Sequence, residues 1–163
     1  MTRAAIALAL ILGLSACSSQ PEPTISSTAA PVAATVMPTV SGALNQAPTI
    51  SQPTGTPPAG LEMRDIATGT GPAVVPTSTV TVQYVGISWS DGQTFDSSWT
   101  RGQAATFALS QVIPGWQQGL LGMQVGGRRL IVIPPSLGYG ASGSGAIKPN
   151  ETLVFVVDLL AVK

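Results

Sequence analysis

The sequence predicts an α+β domain: a mostly antiparallel sheet of about five strands with one short helix against its concave face. Three observations carry this reading. Several short β-branched runs alternate with period two and are separated by turn residues, and the last of them, Thr152 to Val162, is the longest. A single stretch, Val112 to Met123, has helical spacing of its apolar residues. The texture also changes near residue 60, from a tract of Ser, Thr, Pro and Ala to a globular mixture about a hundred residues long, a common size for one core.

At the N-terminus, Met1-Thr2-Arg3 supplies a minimal positive region, and Ala4 to Leu14 is an uncharged apolar run too short to span a bilayer as a helix. Residues 1–16 therefore read as a signal peptide. The run ends in Leu14-Ser15-Ala16-Cys17, which resembles the lipobox of bacterial lipoproteins. That resemblance implies diacylation of Cys17, and two acyl chains give stable membrane attachment where one is marginal. From Ser18 to Pro58 the only charge is Glu22 and no aromatic residue occurs. Such a composition has little to bury, so residues 17–59 are expected to form a disordered linker with a root-mean-square span of about 35 Å.

Residues 60–163 are expected to form the folded domain. Leu61 to Ile66 could open the sheet, and Thr68-Gly69-Thr70-Gly71-Pro72 is a turn. In Val80-Thr81-Val82-Gln83-Tyr84-Val85 the alternation puts Val80, Val82 and Tyr84 on one face. Asp91-Gly92 signals a hairpin before Phe95, and Thr106-Phe107-Ala108-Leu109 is a short strand leading to the helix. Pro114 suits a first helical position, and Trp116, Leu120 and Met123 then share a face. Gly115, Gly119 and Gly122 each cost roughly 1 kcal/mol relative to alanine, so this segment must be held by what it packs against.

Arg128 to Ile133 is a strand stopped by Pro134-Pro135, with Arg128-Arg129 read as a solvated face. In the last strand Asp158 is taken to mark the wet side, shared by Val154, Val156 and Leu160; Leu153, Phe155, Val157 and Leu159 then face the core.

Seven basic and seven acidic side chains leave no net charge, which argues against a nucleic-acid partner. The absence of histidine removes a Ser-His-Asp triad, a Cys-His pair and the commonest metal ligand, so no metal and no cofactor are expected. One cysteine cannot form an internal disulfide. Gly138-Tyr139-Gly140-Ala141-Ser142-Gly143 satisfies G-x-G-x-x-G, but the strand from Thr152 follows too soon for the helix that a dinucleotide site needs.

Tyr84, Phe95-Asp96-Ser97-Ser98, Val112-Ile113-Pro114-Gly115-Trp116, Gly138-Tyr139-Gly140-Ala141 and Thr152-Leu153-Val154-Phe155 occur in an order and spacing that resemble the FK506-binding protein (FKBP) family of peptidyl-prolyl cis-trans isomerases, or rotamases. The likeness spans nearly all of Leu61 to Lys163. It implies a five- or six-stranded antiparallel half-barrel around a short helix, acting as a monomer on proline-containing polypeptides and open to macrolides of the FK506 and rapamycin type. Trp116 would floor the pocket, with Tyr84, Phe95, Val112, Ile113 and Phe155 as walls and Ile147 overhanging it. Tyr139 would reach the substrate carbonyl, the Ile113 N–H would hold the peptide, and Asp96 would sit at the rim with a partner such as Arg101.

Asp96 equally suits a turn acid that satisfies backbone N–H groups. Ala105, Leu137 and Ser144 stand where the family often carries aromatic or histidine side chains. A lipid-anchored isomerase assisting exported proteins is thus the leading expectation. A non-catalytic module that binds proline segments is the alternative; a solute-binding lipoprotein fits poorly, because about a hundred residues is small for two lobes.

Overall fold

A computed structural model describes residues 36–163. The expected signal peptide and Cys17 lie outside the described residues.

The sheet is built on its two longest strands, β4 (Thr79–Ser88) and β8 (Leu153–Val162), which pair antiparallel from Val80↔Val162 to Ser88↔Leu153. On the far side of β8 lies β7 (Arg128–Ile133), and β3 (Glu62–Ala67) forms the edge beyond it. The other edge of β4 is shared by β5 (Thr94–Ser97) along its second half and β6 (Ala105–Ala108) along its first. Every pairing is antiparallel, giving six strands in this sheet. The Asp91-Gly92 turn joins β4 to β5 with Gly92 at φ +68°, a conformation a glycine adopts without steric cost.

Helix α1 is short, Pro114–Gly119, with Ile113 as N-cap and Pro114 at its first position. The helix is shorter than the spacing predicts, with Leu120 as its C-cap and Met123 beyond it, but Trp116, Leu120 and Met123 are all buried in one cluster with Val80, Val82, Tyr84, Phe155, Val157 and Leu159. Gly115 and Gly119 explain how so short a helix lies flat on the sheet. A Cβ at Gly115 would stand 2.3 Å from Ile133 Cγ2, and one at Gly119 would stand 2.8 Å from Ile131 Cγ2. These two glycines, one turn apart, let the helix backbone press onto β7.

Two expectations about solvent are corrected. Val154, Val156 and Asp158 do share a face, but that face is covered: Asp158 is 4% exposed and Arg128, its register partner, 1%. Arg128 Nε and Nη2 donate to the two Asp158 carboxylate oxygens at 2.5 and 2.6 Å. Arg129 points to the other side, donating to Asp65 and to the carbonyls of Gly119 and Leu121 where α1 ends. Arg128-Arg129 is therefore not one solvated patch. Alternation sends the two side chains to opposite faces, and each finds partners there.

The cover comes from the stretch expected to be a disordered linker, and for residues 36–59 that expectation is overturned. Strands β1 (Val40–Ser41) and β2 (Thr49–Ile50) pair as a hairpin. Met37, Val40 and Ile50 pack on the outer-face cluster of Val85, Ile87, Trp89, Leu130, Val132, Val154 and Val156. Arg128 Nη1 and Nη2 also donate to Gly42 O and Gln46 O at 3.0 and 2.7 Å; Arg64 Nη2 reaches Pro38 O, and Trp89 Nε1 reaches Gly55 O. Composition misleads here because the apolar surface is supplied by the sheet. Three apolar side chains and a set of carbonyls are enough to occupy it.

No helix among the described residues is long and apolar enough to cross a membrane.

Candidate functional site

Trp116 enters the core from the first turn of α1 and is 4% exposed. Three rings meet its indole edge to face: Tyr84 and Phe155, each at 5.3 Å and 89°, and Phe107 at 5.8 Å and 86°. Phe95 extends the wall through an edge contact with Phe155 at 5.4 Å. Room for these last two rings is made by Gly86 on β4, where a Cβ would stand 2.6 Å from Phe95 Cζ and 2.7 Å from Phe155 Cε1. Such edge-to-face pairs each contribute about 0.5–1.5 kcal/mol beyond area burial.

Above these rings is an open cavity of about 480 Å³, within the range of small-molecule sites. It is lined by the aromatic groups and by Val112 and Ile113, which lead into α1. Tyr139 and Ile147 close it from the long β7–β8 loop. Tyr139 is 40% exposed, so its ring stands at the rim rather than in the core. Gln117 Nε2 donates to Val112 O at 2.8 Å and so orients the segment before the helix. The Ile113 carbonyl accepts from Trp116 N–H and Gln117 N–H, whereas the Ile113 N–H has no hydrogen-bond partner among the described residues.

One polar cluster interrupts the apolar lining. The Tyr84 hydroxyl donates to Asp96 Oδ2 at 2.5 Å and accepts from Arg101 Nη2 at 2.8 Å; Arg101 Nη1 also bonds Asp96 Oδ1. The Arg101 guanidinium lies 5.5 Å from the Tyr84 ring centre, in cation–π range. Asp96 is thus engaged by side chains and does not serve as the turn acid that was the other reading of it. The local turn N–H, that of Thr100, goes to Ser97 Oγ at 3.4 Å, while Ser98, fully buried, ties the turn to β4: its Oγ accepts from Tyr84 N–H at 2.8 Å and also bonds Gln83. Burial, and next the hydrogen bond to the Asp96 carboxylate, push the Tyr84 phenol above its usual range, with Arg101 opposing.

Every residue expected at the pocket lines it: Tyr84, Phe95, Asp96, Trp116, Tyr139 and Phe155, together with Val112, Ile113 and Ile147. Phe107, Gln111, Ser144 and Ala146 also line it and were not among the expected site residues. Phe107 had a signal, since it follows Ala105 by two on a strand and so shares its face. Gln111 ends a single 3-10 turn and Ser144 and Ala146 sit on a loop, where no period fixes direction. The described residues hold no cluster of metal-ligating side chains. With no histidine and no free nucleophile–base pair, what the arrangement can do is exclude water and shape a ligand.

Residues 71–160 match the FKBP-type peptidyl-prolyl cis-trans isomerase family. The chain is 50% identical over 119 residues to an FK506-binding protein of Streptomyces anulatus, an alignment covering 71% of this chain and 96% of that protein. It is 45% identical over 107 residues to the outer membrane protein MIP of Legionella longbeachae, covering 65% of this chain and 46% of the relative. The crystal structure of FkpA from Escherichia coli superposes with a TM-score of 0.61 at 46% identity, over 64% of this chain and 48% of that one.

Proposed function

Because the chain belongs to the FKBP-type peptidyl-prolyl cis-trans isomerases, we propose that the bowl over Trp116 is its active site and that a lipid on Cys17 holds it outside the cytoplasm, where it assists the folding of exported proteins. The observation that carries the site is the open cavity of about 480 Å³ whose floor is an indole already fixed by three rings. It is large enough for a proline ring and its flanking residues.

Rotation about an X-Pro bond must break amide resonance at a barrier of about 18–20 kcal/mol, and no covalent bond to the protein need form. The twisted imide has lost the charge separation of the planar one, so a dry aromatic bowl disfavours it less than the ground state. Trp116, Tyr84, Phe95 and Phe155 provide that bowl, with Val112 and Ile147 completing it. The unpartnered Ile113 N–H and the Tyr139 hydroxyl at the rim are available to the substrate backbone, and both act by orienting it. Asp96, held by Arg101 and Tyr84, fixes the wall and moves no proton. Proline-containing segments are the proposed substrates and FK506-like macrolides the proposed inhibitors, with affinity reduced where Ala105, Leu137 and Ser144 replace bulkier rim groups.

The test is acceleration of X-Pro isomerisation in a proline peptide by the full chain. Trp116→Ala should lower kcat/KM by at least about tenfold and Tyr139→Phe by about two- to fivefold, as expected for a floor and an orienting contact. Peptide binding without turnover would select the non-catalytic binding module, which the trimmed rim at Ala105 and Leu137 favours.

The location is supported by the signal-like run ending in Leu14-Ser15-Ala16-Cys17 and by similarity to a relative named as an outer membrane protein. Cys17→Ala should release the protein from carbonate-washed membranes; retention would remove the anchor.

A further inference from the structure

Tyr139, Ser144, Ala146 and Ile147 reach the pocket from the segment between the end of β7 at Ile133 and the start of β8 at Leu153, a loop long enough that its shape needs a cause. Its tip is a small hairpin in which Ser144 and Ile147 exchange backbone hydrogen bonds at 3.0 and 2.8 Å. Asn150 N–H closes the loop on Gly140 O at 2.8 Å. Those bonds give the loop internal form and leave open what holds it against the rest of the molecule.

Glu151 supplies that hold. It is 7% exposed, one carboxylate oxygen accepts Ser90 N–H at 2.9 Å, and the other accepts the Ser90 hydroxyl at 2.8 Å. Ser90 is the second residue after β4 and leads into the Asp91-Gly92 turn toward Phe95 and Asp96, so the grip joins two pocket walls. Lys148 Nζ donates to Asp91 Oδ2 at 2.7 Å across the same gap, but both side chains are solvated and such a pair contributes little. Charge-assisted bonds to a buried carboxylate are the stronger tie. Glu151 N–H also donates to Lys148 O at 3.3 Å, which makes the gripped residue the end of the turn that Ile147 enters.

We propose that Glu151 is a positioning residue for the isomerase reaction: through Ser90 it holds the rim loop so that Ile147 stands over the Trp116 floor. The inference rests on the isomerase reading above. Glu151 touches no substrate, and its effect passes through Ile147.

The experiment measures kcat and KM separately for the full chain, with urea midpoints alongside, in Glu151→Ala, Glu151→Gln, Ile147→Ala and the Ile147→Ala/Glu151→Ala double variant. Glu151→Ala should raise KM about five- to tenfold with kcat within about twofold, and Glu151→Gln, which can still accept from Ser90, should stay within about twofold of wild type. The double variant should be no worse than Ile147→Ala alone, as for two changes on one path. A folded Glu151→Ala protein with wild-type KM, or losses that multiply in the double variant, would overturn the proposal. If Glu151→Ala does not fold, Ser90→Ala deletes only the hydroxyl half of the grip: a KM raised about two- to threefold supports the proposal, and an unchanged one overturns it. An inactive wild-type chain would instead sink the isomerase reading, and the same comparison made on peptide Kd would then decide the role of Glu151.

Discussion

Tyr84 is where several demands meet in one side chain. Its ring edges Trp116, its hydroxyl engages Asp96 and Arg101, and its backbone N–H is fixed by Ser98. Burial and the Asp96 carboxylate raise the phenol above its ordinary value near 10. A group raised in the folded state stabilises it fully below the unfolded value and ceases to do so as pH rises through the folded one. Isomerase activity and melting temperature should therefore be flat from about pH 6 to about pH 9, where no histidine titrates, and fall above about pH 10. Tyr84→Phe should remove the alkaline fall, and a bell-shaped profile near neutrality would contradict catalysis without proton transfer. Gly86 makes the complementary point through what it lacks. Gly86→Ala drives a methyl into the Phe95 and Phe155 rings, so urea unfolding should show a loss of about 1–3 kcal/mol, with kcat/KM falling as the wall tilts.

At the scale of elements, α1 is a helix that its own sequence does not favour. Two glycines lower its propensity, yet they permit contact with Ile131 and Ile133, and Arg129 donates to the Gly119 and Leu121 carbonyls where it ends. Gly115→Ala would be stabilising in an isolated helix by about 1 kcal/mol; here it should destabilise by about 1–3 kcal/mol, because the methyl meets a branched side chain on a strand that cannot retreat. Combining it with Ile133→Ala should recover part of that loss, which denaturant midpoints of the four species would show. The burial of Trp116, Leu120 and Met123 was legible in their spacing, although the helix ends before the last two. The reason for its glycines was not, since it lies in a strand distant in sequence.

Across the whole molecule, residues 36–59 belong to the folded domain, whose outer face is closed by the β1–β2 hairpin. Arg128 is the joint: its guanidinium is shared between Asp158 and the carbonyls of Gly42 and Gln46. A chain beginning at Gly60 should unfold at lower urea than one beginning at Val36, and should bind an apolar-surface dye, because it uncovers the cluster around Val85, Leu130 and Val156. Arg128→Ala should cost about 3–5 kcal/mol in the longer chain, the usual penalty for leaving a buried charge without its partner. In the shorter chain, where Asp158 is already wet, the same change should cost less. Equal losses in both would show that the hairpin does not enclose the pair.

Sequence alone determined five strands of the main sheet, the place of the short helix and nine residues of the pocket, because period, turn chemistry and motif spacing are local or follow chain order; it missed the β1–β2 hairpin. Tertiary structure decided which faces are dry. Asp158 and Arg128 looked solvated because charge normally marks water, and residues 36–59 looked disordered because composition counts only what a segment itself can bury. In both cases the partner lies far along the chain, the hairpin for the sheet and the sheet for the hairpin, and Glu151 finds Ser90 by the same route. Contacts of that kind exist only once the chain has closed on itself.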